Sequence, residues 1–425
     1  MISAVVGLNW GDEGKGRITD YLARDNKCVV RFQGGDNAGH TIINNYGEFK
    51  LHHIPAGIFY QNKINIIAAG SVLNPESFFN ELVTLKKSPL PESELIISDR
   101  AVLTFPYHIE REIAEEKRMG QKKYDSTLSG IAPSYSDRYA KKSLQAGELC
   151  YQTHWQNRLK NLVKYQNEIF FKNYRQNCID YNEVISWLEK YKKPLIPYIQ
   201  NTLPIVKKLL QSNEKILVEA QLGALRDVNH GIYPYTTSSP TLAAYACASL
   251  PAPPHQLKKI IGVTKAYATC VGAGPFVTEM NSIQANSLRN KAGEYGAKTN
   301  RPRRIGYFDA VATSYGVSLQ QANQLAITCL DILSGYKTLK ICTHYLTDSN
   351  KTQEFPLNPG LEKVKPFYIE QEGWNQDISQ VTDFHELPKQ AKKYIKTIQD
   401  LVKIPIKYIS TGPERNAIIE IKNNL

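Results

Sequence analysis

Apolar residues come in short unbroken runs along this chain, separated by polar turns. Ile2–Leu8 is the first such run, closed by Asn9 and Gly11. A continuous apolar run bounded by turn residues is the pattern of a strand covered on both faces. Similar runs predict strands at Cys28–Phe32, Ile64–Ala69, Leu95–Ser98, Ile216–Glu219, Ile260–Thr264, Leu325–Thr328, Leu339–His344 and Pro405–Ile409. Helical patterns lie between them, at Arg17–Arg24, Glu76–Lys86, Ala391–Val402 and the long stretch Tyr181–Gln211. Strands alternating with helices predict an α/β fold with a large, mostly parallel central sheet and flanking helices. No internal repeat or low-complexity linker interrupts the 425 residues, so a single domain over 1–425 is expected.

Charge adds less than its size suggests. The formal net charge of +12 raises nucleic acid or an anionic membrane as partners. Yet the cations are scattered in short pairs, such as Lys122-Lys123, Lys192-Lys193 and Lys392-Lys393, which read as solvated surface. The cluster Arg301–Arg304 is the exception. Small phosphate- and carboxylate-bearing substrates suit it as well as a polynucleotide would, and no nucleic-acid partner is expected. No apolar run approaches the roughly 18 residues of a membrane span. The strand predicted from Ile2 leaves no room for a signal peptide. The seven cysteines are scattered and form no CxxC pair, so neither a disulfide frame nor a zinc site is suggested. A reducing, cytoplasmic compartment is expected.

The chemistry begins where the first strand ends. Asn9-Trp10-Gly11-Asp12-Glu13-Gly14-Lys15-Gly16 sits between a strand and a helix. Glycines let the backbone approach phosphates, and N–H groups at a helix start bind anions. The arrangement is like that of the phosphate-loop NTPases, but it is not their standard loop. Asn9 replaces the first glycine, and Gly16 stands where Ser or Thr would hold magnesium. A carboxylate inside a loop that only held phosphate would repel its ligand. Asp12 makes sense if it holds a metal or takes a proton.

Gly11–Gly16 resembles the signature loop of the adenylosuccinate synthetases. A second block, Gln33-Gly34-Gly35-Asp36-Asn37-Ala38-Gly39-His40-Thr41, resembles that family's other signature. His230–Tyr235, Val271–Phe276 and Ser410–Pro413 match further family blocks in order, so the resemblance covers nearly the whole chain. It implies a GTP-driven C–N ligase that joins L-aspartate to IMP through a 6-phosphoryl intermediate, the step that commits IMP to AMP. It also implies one Mg2+ per subunit and a homodimer.

The resemblance carries roles residue by residue. Asp12 resembles the family's base and magnesium ligand, and Gly39 the residue whose carbonyl completes the metal shell. His40 resembles the acid beside the transferring phosphoryl group, and Lys15 the cation that neutralises phosphate charge. Gly11 through Arg17, with Gly39, His40, Thr41 and Arg303, match the phosphate side of the GTP site; the stretch includes Glu13, Gly14 and Gly16. Cys329, Leu330 and Asp331 match the guanine-reading segment, and Ser410, Thr411 and Gly412 complete the base pocket. A carboxylate can accept from guanine N1–H and N2–H together. IMP falls to the loop residues Asp12–Lys15, to Asn37, Ala38, Gly39 and His40, and to Thr127, Lys141, Leu222, Thr237 and Arg301. Ala297, Lys298, Thr299, Asn300, Arg301, Pro302 and Arg303 match the aspartate loop, where planar guanidinium groups pair bidentately with carboxylates.

The match departs at several positions. Cys329 replaces a lysine whose stem packs on guanine. Leu222 replaces a glutamine near IMP, with Gln221 beside it. Lys141 replaces an arginine that the partner subunit contributes to the IMP phosphate. Asp36, Ser129, Lys298 and Pro302 also differ. These changes bear on nucleotide choice. They leave two other readings open: a relative acting on dGMP or using ATP, and a non-catalytic nucleotide or nucleic-acid binder.

Overall fold

In the computed structural model the described residues are 1–151, 154–177, 179–296, 300–348 and 350–422. Ten strands form one sheet. Across it they run Ile418–Glu420, Ile406–Ser410, Gln324–Thr328, Leu257–Lys265, Ile2–Gly7, Ile216–Gly223, Cys28–Arg31, Ile64–Ile67, Glu94–Ser98 and Ile199–Gln200. Every neighbouring pair is parallel except the last strand in the chain, Ile418–Glu420, which runs antiparallel to Ile406–Ser410. All six residues of Ile2–Gly7 are buried. Helices cover both faces, which is why these strands read as unbroken apolar runs.

Ile2–Gly7 lies near the middle, between Ile216–Gly223 and Leu257–Lys265. Strands 28–31, 64–67, 94–98 and 199–200 lie on one side; 257–265, 324–328 and 406–410 lie on the other. The chain therefore changes direction across the sheet around this strand. In open α/β sheets ligands bind outside the carboxyl ends of strands at such a point. The phosphate-type loop leaves from that end.

Two predicted elements differ. The stretch 181–211 is not one helix. It forms helices Tyr181–Leu195 and Thr202–Gln211, with the edge strand Ile199–Gln200 between them. Pro197 cannot continue a helical hydrogen-bond ladder, and Asn201 caps the second helix by accepting from Leu203 N at 3.1 Å. The predicted strand Leu339–His344 is real, as Thr338–Leu346, but it leaves the main sheet. It pairs antiparallel with Lys365–Glu372 and parallel with Phe308–Asp309. A hairpin, His40–Asn44 with Gly47–Leu51, was not predicted. Among the described residues no helix is long and apolar enough to cross a membrane.

Candidate active site

The loop after Ile2–Gly7 is held from below by buried polar contacts. Asn9 donates to Thr313 Oγ1 (3.1 Å) and accepts from Thr264 Oγ1 (2.8 Å). This explains an amide where a simple phosphate loop has glycine: it ties the loop to a helix and a neighbouring strand. Glu13 Oε1 accepts from the N–H groups of Asn9 (3.1 Å) and Gly11 (2.8 Å). Lys15 Nζ lies 2.5 Å from Glu13 Oε2, and both side chains are buried. In this state Lys15 is thus paired with a carboxylate in its own loop. Gly14 adopts φ 81° and starts the helix Lys15–Ala23. Its N-terminus is a ready anion site.

Asp12 sits at φ 59°, a left-handed conformation that non-glycine residues seldom adopt. Such outliers persist where surrounding contacts enforce them. Here Arg303 Nη2 donates to Asp12 Oδ1 at 3.0 Å. The Asp12 side chain keeps 28% of its exposure and faces a cavity of about 520 Å³. Asn37, Ala38, Gly39, Thr127, Leu222 and Thr237 line the same cavity. The structure thereby gathers seven sequence-predicted residues, counting Asp12, around one space. Asn37 Oδ1 is buried there without a hydrogen-bond partner.

Leu222 presents an apolar side chain to this cavity, and Gln221 does not substitute for it. Gln221 Nε2 donates to the carbonyls of Gly35 and His52, both at 2.8 Å. Arg301 is not part of the lining, but its Nη1 donates at 3.1 Å to the carbonyl of Asp125, which is. Lys141 is exposed just beyond the helix Ile131–Tyr139 and is not part of the lining. Asn300 N donates to Gly296 O (2.8 Å), and Pro302 bridges to Tyr295. Ala297, Lys298 and Thr299 lie outside the described residues.

His40 begins the unpredicted hairpin and is buried. Its Nδ1 meets Glu219 Oε1. Glu219 also accepts from Ala56 N (3.1 Å) and lies 3.5 Å from Arg31 Nη2. Burial alone would raise the Glu219 carboxyl, but Arg31 and His40 hold it below its usual value. For His40, burial and then the Arg31 charge outweigh Glu219 and push the ring down to about 4. The imidazole is therefore neutral near pH 7. Nδ1–H donates to the carboxylate, and Nε2 is left buried with no partner.

The segment expected to read guanine closes around Arg17. Arg17 Nη1 donates to Ser410 Oγ, and its Nε donates to Pro413 O at 3.1 Å. Leu330 N donates to Ser410 O at 3.2 Å, and Ser410 Oγ to Gly412 O at 3.0 Å. Asp331 Oδ1 is buried and unpartnered. Burial pushes this carboxyl up to about 6 against the pull of Arg17. Cys329 is half-buried, at φ 59°. Thr411 turns inward, donating to Val381 O at 2.8 Å, so its side chain serves the fold. Thr41 is exposed.

Sequence reasoning missed Glu219 and Arg31. A signal existed for both: each is a lone charge in a run otherwise fit for a buried strand.

A parallel sheet, a phosphate-type loop at its reversal point and a cavity beside that loop define a nucleotide-using α/β enzyme. Residues 4–419 match the family described as adenylosuccinate synthetase. The adenylosuccinate synthetase of Caldanaerobacter subterraneus subsp. tengcongensis is 39% identical over 99% of both chains. That of Pelotomaculum thermopropionicum is 40% identical over 98% of this chain and 97% of its own. Among solved structures, the fully ligated adenylosuccinate synthetase of Plasmodium falciparum superposes with TM-score 0.92 at 32% identity, over 99% of each chain. The succinoaminodeoxyadenylate synthetase of cyanophage S-2L, bound to dGMP and dATP, shares the fold at TM-score 0.62 and 16% identity, over 99% of this chain and 95% of its own. The chain belongs to the adenylosuccinate synthetase family, whose members are ligases.

Proposed function

We propose that this chain ligates L-aspartate to IMP at the expense of GTP, with Asp12 and His40 as its proton-handling residues. The observation that carries the reading is their placement. Asp12 stands in the cavity wall at the loop, and His40 holds an unpartnered, buried Nε2 beside the start of the helix Lys15–Ala23. GTP phosphates would lie along Gly11–Arg17, and its base between Asp331 and Ser410–Gly412. IMP fits the cavity bounded by Asn37, Ala38, Gly39, Thr127, Leu222 and Thr237.

In the first step the 6-oxygen of IMP attacks the γ-phosphorus of GTP, and GDP leaves. Asp12 accepts the N1 proton as the new O–P bond forms. The incoming phosphate charge acts on His40 in the sense opposite to Arg31 and favours the imidazolium. The ring then donates from Nδ1 to Glu219 and from Nε2 to a phosphoryl oxygen. In the second step the amine of L-aspartate attacks C6, and phosphate departs. Arg301 and Arg303 are the cations for the substrate carboxylates.

One magnesium ion per subunit belongs to this reading. Among the described residues no group of three or more His, Cys, Asp or Glu side chains is placed to hold a metal. Magnesium keeps several waters and uses one or two carboxylates together with substrate phosphates. Asp12 Oδ2 and the Gly39 carbonyl supply such a partial set, since Arg303 occupies only Oδ1. When bound, the ion would offset phosphate charge. The active unit is a homodimer in which Lys141 of one copy reaches the IMP phosphate in the other. Among the described residues six cysteines are free thiols, as a reducing compartment such as the cytoplasm would keep them.

The test is phosphate release from GTP. It should require magnesium, IMP and aspartate together. Aspartate-dependent turnover with dGMP and none with IMP would overturn the substrate assignment.

A further inference from the structure

An array of four charges runs inward from Asp12, and only its outer end belongs to the site described above. Arg303 joins the array to Asp12 through Nη2. Its other terminal nitrogen, Nη1, donates to Glu294 Oε2 at 2.5 Å. The second oxygen of Glu294 accepts from Lys265 Nζ and from Tyr267 OH, each at 2.5 Å. Two carboxylates and two cations thus alternate from the strand Leu257–Lys265 out to the cavity. Glu294 is only 2% exposed, so no solvent competes for its oxygens.

Glu294 holds Arg303 by the main chain as well. Arg303 N donates to Glu294 O at 3.0 Å, and Gly296 N to Arg301 O at 2.8 Å. Arg289 Nε, at the end of the helix Ser282–Ala292, donates to Arg303 O at 2.8 Å. The two residues therefore close the base of the segment expected to bind aspartate. Burial would raise the Glu294 carboxyl, but Lys265 and then Arg303 hold it at about 2, so it is fully ionised near neutral pH. Arg303 Nε remains buried and unpartnered. A guanidinium clamped at both terminal nitrogens, with its Nε–H and one further N–H on each of them to spare, is pre-organised for an incoming anion.

We propose that Glu294 is a positioning residue: it fixes the Arg303 guanidinium, the cation that receives the aspartate carboxylate. The inference rests on the reading of Arg303 as an aspartate-binding residue. Glu294 touches no substrate. It acts only through Arg303, with Lys265 and Tyr267 holding it from behind.

The experiment is a double-mutant cycle on Glu294 and Arg303, read as Michaelis constants in initial-rate phosphate release. Glu294→Gln would leave Arg303 and Lys265 buried around a neutral amide, a change that endangers folding. Glu294→Asp is therefore made as well. It keeps the charge but is one methylene too short to reach Arg303 and Lys265 together. The KM for aspartate should rise about tenfold or more in a folded variant, the scale of a charge-assisted contact. The KM for IMP should stay within about twofold. In the Arg303→Leu background the same substitution should change the aspartate KM by less than about twofold, because the residue it acts through is gone. Equal effects in both backgrounds, or equal rises in the KM for aspartate and IMP, would overturn the proposal and leave Glu294 a fold-stabilising residue. An Arg303→Leu protein with an unaltered aspartate KM would instead overturn the assignment of Arg303, and the proposal with it.

Discussion

A Cβ on Gly16 would stand 2.7 Å from the Cβ of His40. Real Cβ atoms do not approach so closely, and the other neighbours are the His40 Cα and the Thr41 carbonyl, each at 3.2 Å. This answers why Gly16 occupies a position where simple phosphate loops carry Ser or Thr. The first turn of the helix Lys15–Ala23 packs directly on the backbone that presents the histidine. Gly16→Ser should displace His40 from Glu219 and lower turnover by about 10²-fold, the cost of misplacing a reacting group by an ångström. Steady-state kinetics on a variant with native-like circular dichroism checks this. Near-normal turnover would mean that the hairpin yields freely and that His40 does not depend on the packing.

Truncating the two residues proposed to handle protons should have separate effects of similar size. Asp12→Ala and His40→Ala are each expected to lower turnover by at least about 10²-fold. Their effects on folding should differ. Asp12 is partly exposed, but Arg303 would lose one of its two carboxylates. His40→Ala strips Glu219 of one partner while Arg31 remains. Thermal unfolding alongside kinetics distinguishes the losses. Full activity in either variant would remove that residue from its role.

The sheet was legible because burial on both faces writes itself as apolar runs. Every main-sheet strand longer than three residues was found that way. The strands missed, Ile199–Gln200 and Ile418–Glu420, are too short to carry a pattern. The stretch 181–211 has helical spacing on both sides of Pro197, so periodicity alone joined what a proline divides. At the site, the loop glycines and Asp12 stood out because they are local in sequence. Glu219 reaches His40 from 179 residues away, and Arg303 reaches Asp12 across 291. No spacing rule links such pairs; only the sheet order brings them together. Gln221 could not be distinguished from Leu222 by sequence, since the left-handed turn at Leu222 decides which faces the cavity.

Lys141 tests whether the site is shared between copies. It follows a helix whose other residues, Ile131, Ala132, Pro133 and Ser136, line the cavity of their own chain. Lys141 itself points elsewhere, exposed at φ 61°. A cation serving the IMP phosphate from that position would have to serve a neighbour. Mixing a Lys141→Ala protein with an Asp12→Ala protein should restore activity, because one site in each mixed dimer would hold both residues. Subunit exchange is followed by differently tagged chains. Exchange without recovery would show that each chain builds its own phosphate site.

Asp331, proposed above to lie against the guanine base, should make the use of GTP sensitive to pH. Its carboxylate must be ionised to accept from N1–H and N2–H of guanine at once. Burial raises this carboxyl from its ordinary value of 3.8 to about 6, against the opposing charge of Arg17. The sign follows from that direction. Above about pH 6 the group is an acceptor at both oxygens; as pH falls through about 6, one oxygen becomes a donor and faces a guanine donor. The KM for GTP should therefore rise as pH is lowered from 7 to 5. Bound guanine, by donating to the carboxylate, favours the ionised form, so saturating GTP should move the transition to lower pH. ATP offers no such donor pair, and its KM should change less over the same range. Asp331→Asn should flatten the GTP profile and reduce the preference for GTP over ATP. Cys329 has a separate effect. It lacks a long aliphatic stem to cover one face of the base, so Cys329→Lys should lower the KM for GTP at every pH without moving the transition. Michaelis constants for both nucleotides at five pH values, with IMP and aspartate saturating, read all of these outcomes. A GTP profile in the native protein as flat as that of Asp331→Asn would show that this carboxylate does not read the base.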